Sequence, residues 1–270
     1  MKTFLISNSQ KVAQWSNSAG VTWVMVDIET HGKQERQSGT RSWISDHALQ
    51  DCWRLRPLLT STKLAIRINP IHESSDVEVE QAIDAGVDLI MLPMAKTLRE
   101  VDRFSDLVDN RVKKSLLVET PELLGRLPWI LENHQFETIH MGLNDLSLTL
   151  GLQHMLQTLL TGYVEMFADC ATRYSVDFGF GGIGRLDVDL PINAYDILIA
   201  HAVLGSDQVI LSRSFMHDLS DEGSFAVAVS ALRKAYSELV HLGPDGLLPL
   251  KKDAWEKLSR LGSPDRSLIS

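Results

Sequence analysis

Cysteine is almost missing from this 270-residue chain, which has two, Cys52 and Cys170, far apart in sequence. Two such residues build neither a disulfide framework nor a zinc site of the usual spacing, and they suit a reducing compartment, so a cytoplasmic location is expected. Positive charge is also scarce: 26 Lys and Arg stand against 35 Asp and Glu, a formal net charge of −9. Proteins that grip a nucleic-acid backbone present a basic face, so no nucleic-acid partner is expected. No apolar stretch approaches the roughly 20 residues of a membrane-spanning helix, and none is expected in a membrane. The opening run Met1–Asn8 is too short for a secretion signal. Internal repeats and low-complexity linkers are absent.

A hydrophobic content of 44% is enough for a substantial core. Length alone allows one large α/β barrel or two ordinary domains. The order of apolar runs decides between them. Short β-branched or leucine-rich runs fall near residues 3–7, 21–26, 63–68, 87–92, 115–119, 138–141, 176–180 and 209–212. Helical patterns over 10–19, 45–59, 77–85, 98–108, 122–133 and 153–174 lie between them. Eight strands, mostly separated by helical patterns, predict a (β/α)₈ barrel over residues 1–242 rather than a doubly wound sheet. Residues 243–270, starting Gly243-Pro244-Asp245-Gly246, read as a helical C-terminal extension that packs on the barrel or on a neighbouring subunit.

Two strand ends dominate the polar pattern. Leu116 to Pro121 and Met141 to Ser147 each begin as a buried-strand run and then break into a carboxylate, Glu119 and Asp145. Barrel enzymes keep their chemistry at the C-terminal ends of the strands. There the second strand also delivers Asp27 and Glu29, and the third Arg67. Two hard oxygen ligands suit Mg²⁺ or Mn²⁺, which take one or two carboxylates and leave other positions to water and substrate. The Arg67 fork matches a carboxylate with an adjacent keto oxygen.

Each residue has a plainer reading. Glu119 and Asp145 could cap the helices that follow them. Arg67 could pair with a neighbouring carboxylate, and His31 could be a solvated loop histidine. Lys33, Arg36 and Arg41, in the polar stretch after the second strand, read as a solvated lid or as a site for a distal anionic group. Gly179, Gly181 and Gly182 match no phosphate-loop spacing and point to close backbone packing.

The segments Asp27-Ile-Glu, Arg67-Ile-Asn-Pro, Gly86-Val-Asp-Leu-Ile-Met-Leu-Pro93, Val118-Glu119-Thr, Gly142-Leu-Asn-Asp145-Leu-Ser and Gly179-Phe-Gly-Gly-Ile183, in this order, resemble the HpcH/HpaI aldolase and citrate lyase β-subunit family. The resemblance spans about residues 20–215. It implies a pyruvate- or phosphoenolpyruvate-type barrel, usually a trimer or hexamer, in which Glu119 and Asp145 hold Mg²⁺ or Mn²⁺. It further implies that Arg67 and the Gly142, Leu143 and Asn144 segment hold a 2-oxo acid whose partner is an aldehyde or an acyl group. Family aldolases carry a catalytic histidine in Gly-Glu-His, and citrate-lyase-like members have Asp-Leu-Glu-Asp. Here Asp27-Ile28-Glu29-Thr30-His31 places Thr30 at the catalytic position, and His31 reaches it through a one-residue shift. Leu117 replaces a polar residue found in the aldolases and makes the pocket floor more apolar.

The expected function is therefore a divalent-metal-dependent carbon–carbon lyase or aldolase working through a pyruvate-like enolate. His31, or a water on the metal oriented by Asp27 and Glu29, moves the proton in that scheme. Two alternatives remain. One is an acyl-CoA lyase of the citrate or malyl type, with Lys33, Arg36 and Arg41 on the CoA phosphates. The other is an inactive barrel serving as a binding or assembly subunit.

Overall fold

A computed structural model describes residues 1–31, 45–189 and 192–261. Eight parallel strands close into one barrel in chain order: β1 Lys2–Ile6, β2 Trp23–Asp27, β3 Lys63–Arg67, β4 Leu89–Leu92, β5 Lys113–Val118, β6 Thr138–Met141, β7 Asp177–Ile183 and β8 Gln208–Leu211. β1 pairs with β8 to complete the ring. The expected fold class is borne out, helical C-terminal region included. Lys33, Arg36, Arg41 and residues 262–270 lie outside the described residues.

Alternation along each strand divides the core in two. In β2, Val24 and Val26 join the large cluster beneath the helices, whereas Trp23 and Met25 turn into the barrel. Phe4, Ala65, Leu89, Met91 and Leu117 fill the same interior, and the Phe4 and Trp23 rings stack 5.7 Å apart. Leu117 thus forms part of an apolar floor. The side of the interior nearest β6 and β8 is polar. Thr138 Oγ1 donates to Gln208 Oε1 at 2.5 Å, and His140 Nε2–H donates to the Gly181 carbonyl at 2.8 Å. Burial pushes His140 down to about 4, so the ring is neutral under ordinary conditions.

Three expected helices are altered, each for a local reason. The span 45–59 is helical only over Gln50–Leu55, with a 3-10 turn at Arg56–Leu58. The Asp51 carboxylate accepts the Ala48 amide at 2.9 Å and the Asn8 side-chain amide at 3.2 Å, which holds the preceding residues in an irregular conformation. The 153–174 span divides into a 3-10 helix Met155–Leu160 and a helix Tyr163–Arg173, broken where Gly162 turns to φ +79°. The 122–133 span divides into Pro121–Leu124 and Leu127–Asn133. An extra short helix, Leu143–Thr149, follows β6 and carries Asp145 in its first turn.

Past β8, helices Glu222–His241 and Gly243–Ser259 run almost consecutively. The second lies against the helix Ala194–Leu204, where Lys257 Nζ reaches the buried Asp196 carboxylate at 2.9 Å. Leu247 and Ala254 enter the apolar cluster beside β8.

Gly179 is required by close approach. A Cβ there would lie 2.3 Å from the Gln208 carbonyl oxygen and 2.9 Å from His140 Nδ1. Gly179→Ala is therefore expected to destabilise the barrel by about 1–3 kcal/mol, read from the denaturant midpoint. An unchanged midpoint would show that the β7–β8 wall yields more easily than these contacts imply.

Candidate active site at the barrel mouth

The register Asp27↔Arg67 sets the last residues of β2 and β3 side by side. Arg67 Nε and Nη2 donate to Asp27 Oδ1 and Oδ2 at 2.8 and 2.6 Å, a two-pronged ion pair. Arg67 Nε also lies 3.5 Å from Glu29 Oε2. Asp27 Oδ1 accepts the Glu29 amide at 3.3 Å, so the chain turns back over its own carboxylate. Asp27, together with Glu29 and Glu119, holds the guanidinium well above its ordinary value despite its burial. Arg67 is a permanent cation. Its Nη1 edge makes no bond to the described residues, which leaves that edge for a ligand.

Asn69 organises the next residues. Its Oδ1 accepts the amides of Thr30 and His31 at 2.9 and 3.1 Å and lies 3.3 Å from Thr30 Oγ1. Glu78 holds Asn69 in turn, at 2.8 Å from its amide and 2.7 Å from Nδ2. The His31 ring stands edge-on to His72 with centroids 4.6 Å apart, and His72 Nε2 lies 3.8 Å from Glu78 Oε2. His31 and Thr30 are thus both pinned to the rim through one asparagine.

Glu119 follows β5 and is 4% exposed. Its Oε1 accepts the Met94 amide at 2.9 Å. Met94 adopts φ +53°, an unfavourable angle for a side-chain-bearing residue, and so aims its N–H at the carboxylate. Gly142 keeps the other oxygen clear, since a Cβ there would lie 2.7 Å from Glu119 Oε2. Burial pushes the Glu119 carboxyl up to about 8, helped by repulsion from Glu29 and Asp145 and opposed by Arg67 and the Met94 amide. Asp145 reaches this group from the helix after Gly142, and Leu143 beside it packs against Gly181, whose missing Cβ would lie 2.8 Å from Leu143 Cδ1.

The expected residues therefore gather at one mouth. Asp27, Glu29, Glu119 and Asp145 bring four carboxylates to one guanidinium, that of Arg67. The oxygens of Glu119 and Asp145 are hard donors, which fits a divalent cation of the Mg²⁺ or Mn²⁺ kind. Among the described residues no three His, Cys, Asp or Glu side chains are grouped closely enough to cage a metal. A cation held here would take its remaining coordination from water or substrate oxygens, which is the habit of Mg²⁺.

Sequence reading missed His47. Its Nδ1 accepts the Asp27 amide at 3.0 Å, so the ring caps the end of β2. Nothing in the pattern around residue 47 signals this, because the partner is a backbone N–H twenty residues earlier. Arg67-Ile68-Asn69-Pro70 did carry a signal for Asn69, a polar residue at a strand end.

The family described as HpcH/HpaI aldolase/citrate lyase matches residues 1–158. No curated protein matches the chain at a significant level. A solved HpcH/HpaI aldolase/citrate lyase family protein from Burkholderia cenocepacia J2315 is 15% identical, with a TM-score of 0.59 over 88% of this chain and 94% of that one. An HpcH/HpaI aldolase from Desulfitobacterium hafniense DCB-2 is 16% identical, with a TM-score of 0.58 over 88% of this chain and 93% of that one. A citrate lyase beta subunit from M. tuberculosis, solved with oxaloacetate and magnesium, is 17% identical, with a TM-score of 0.56 over 87% of this chain and 96% of that one.

A carboxyl raised from 4.5 to about 8 makes the folded state the better proton binder, so its burial weakens the fold progressively as pH rises through that window. In chelated protein, the wild-type unfolding temperature is expected to fall with pH between those values more steeply than that of Glu119→Gln. Mg²⁺ or Mn²⁺ should restore it in the wild type only. Parallel profiles for the two proteins would contradict this electrostatic description.

Proposed function

The chain belongs to the HpcH/HpaI aldolase/citrate lyase family, and from that premise we propose a divalent-metal-dependent carbon–carbon lyase or aldolase that acts on a 2-oxo acid through its enolate. Family membership supports lyase-type activity. The finer reading rests on one observation: a buried arginine, clasped by Asp27 beside Glu29 and Glu119, whose Nη1 makes no bond to the described residues.

Glu119 and Asp145 are the residues that would hold the cation. When bound, the cation supplies Lewis acidity at the keto oxygen and offsets the negative charge that develops there. Arg67 grips the substrate carboxylate and keto oxygen through its Nη1 edge, and its charge lowers the energy of the enolate. The Asp27 clamp keeps the guanidinium aimed, so little reorganisation is needed as charge develops. Gly142, Leu143 and Asn144 line the keto acid beside Glu119. Glu29 lies against Arg67 and, with Asp27, orients the group that moves the proton; His31, fixed at the rim through Asn69, is the proposed acid–base residue.

The apolar floor at Leu117 and Met91 favours the methylene end of the keto acid over a hydrated group. The M. tuberculosis neighbour, solved with oxaloacetate and magnesium, lends support to a keto acid and a hard cation at one barrel mouth. The same proposal is of a cytoplasmic homo-oligomer, a trimer or hexamer. Both cysteines are free and buried, as in a reducing compartment. Among the described residues no helix is long and apolar enough to cross a membrane.

Exchange of the pyruvate methyl protons in D₂O, followed by NMR, tests the proposal without knowledge of the second reactant. Exchange is expected with Mg²⁺ or Mn²⁺, lost with chelator, and lowered by at least about two orders of magnitude in Arg67→Ala, the scale seen when an oxyanion-stabilising donor is removed. Metal-independent exchange, or full exchange in Arg67→Ala, would overturn it.

A further inference from the structure

We propose that His47 is a specificity residue of this site: a neutral imidazole that donates a hydrogen bond from Nε2 to an oxygen at the far end of a 2-oxo acid longer than pyruvate. The inference rests on the enolate reading above and names the part of the substrate that reading leaves open.

Three features of the ring carry it. The first is its tautomer. Nδ1 lies 3.0 Å from the Asp27 nitrogen, and a backbone N–H only donates, so Nδ1 is the bare, accepting nitrogen and Nε2 bears the proton. The second is the free end. Among the described residues the ring makes no other hydrogen bond, and it is half-buried, so its Nε2–H has no partner among them. The third is the anchoring. Asp51 is 4% exposed and binds the Ala48 amide, the Asn8 side chain and Arg54, at 3.0 Å for the last, so the segment bearing His47 is tied down from both sides. His47 N also donates to Ser45 Oγ at 3.3 Å.

The surrounding charges agree with a neutral ring. Burial lowers the tendency of His47 to take a proton and Arg67 opposes protonation as well, which together outweigh Asp27, Asp51 and Asp46. Protonation at Nδ1 would also break the bond from the Asp27 amide and set two donors against each other. A neutral imidazole that gives its one N–H to a substrate oxygen is a known way for a histidine to act without titrating.

The position fits the remote end of a substrate. Asp27 ends β2 and clasps Arg67, which takes the keto-acid end; His47 lies over the Asp27 amide, on the face of that strand end where β1 has already stopped at Ile6. A ligand held by Arg67 and extending toward β1 and β2 meets the His47 N–H. The acceptor can be a carboxylate, as in a dicarboxylic keto acid, or the carbonyl of the second reactant.

Pyruvate and oxaloacetate, each with Mg²⁺, are the probes, and His47→Leu and His47→Gln the variants; glutamine keeps an acceptor for the Asp27 amide and a donor beyond it. Nitrogen-15 NMR of the imidazole should show Nε2–H with bare Nδ1, unchanged as pH falls through 6.5, and a shift of Nε2–H on adding oxaloacetate but not pyruvate. His47→Leu should weaken oxaloacetate binding about tenfold more than pyruvate binding, the scale of one hydrogen bond, whereas His47→Gln should restore most of that difference.

Protonation of Nδ1 near the ordinary histidine value would overturn the proposal. So would equal loss of pyruvate and oxaloacetate in His47→Leu, which marks a purely structural role, or a wild type that binds oxaloacetate no better than His47→Leu does. Missing methyl exchange in the wild type, with the oxaloacetate contrast intact, would instead count against the enolate reading and leave the His47 contact standing.

Discussion

The mouth of this barrel depends on the buried ion pair between Asp27 and Arg67. Among the described residues the Arg67 guanidinium is buried near four carboxylates and holds Asp27 by two bonds. Burying carboxylates is costly unless each finds a counter-charge or hydrogen-bond donors. The rest of the local architecture can be understood as a response. Met94 takes a left-handed backbone to give Glu119 one N–H, Gly142 clears its other oxygen, and the chain after Asp27 folds back to lay the Glu29 amide on the Asp27 carboxylate. Each of these devices brings a donor to a buried carboxylate or keeps its oxygen clear.

Closure of the sheet makes the convergence possible. Asp27, Arg67, Glu119 and Asp145 come from the ends of four different strands, and parallel pairing in chain order brings all of them to one rim. Below them the interior is packed, apolar toward β1–β5 and polar near β6 and β8. That floor keeps water from below and gives the strand ends a rigid base. Helices from the C-terminal region brace the β7–β8 side through Lys257 and Asp196.

Most of this frame was legible in the residues. Buried parallel strands are short apolar runs with β-branched content, and each of the eight could be located to within a few residues. Strand-end carboxylates stood out because they interrupt those runs. Three helices were misjudged where side chains or single backbone angles override periodicity: Asp51 capturing Ala48, Gly162 in the left-handed region, and the Gly125-Arg126 break. Asp145 lies in the first turn of the helix after β6, which has no side-chain cap, and close enough to Glu119 to raise its carboxyl. His47 was invisible because a bond from a ring nitrogen to a distant backbone amide leaves no periodic trace. The link from Asn69 to Thr30 and His31 was hidden for the same reason.

Electron paramagnetic resonance of Mn²⁺ with oxalate, a planar dianion shaped like the enolate of pyruvate, tests the central claim most directly, that Glu119 and Asp145 hold a cation facing Arg67. The account predicts that wild-type protein binds Mn²⁺, that oxalate alters its spectrum, that Glu119→Ala and Asp145→Ala each abolish binding, and that Arg67→Ala keeps the ion but loses the oxalate effect. Undiminished Mn²⁺ binding in both carboxylate variants would contradict it.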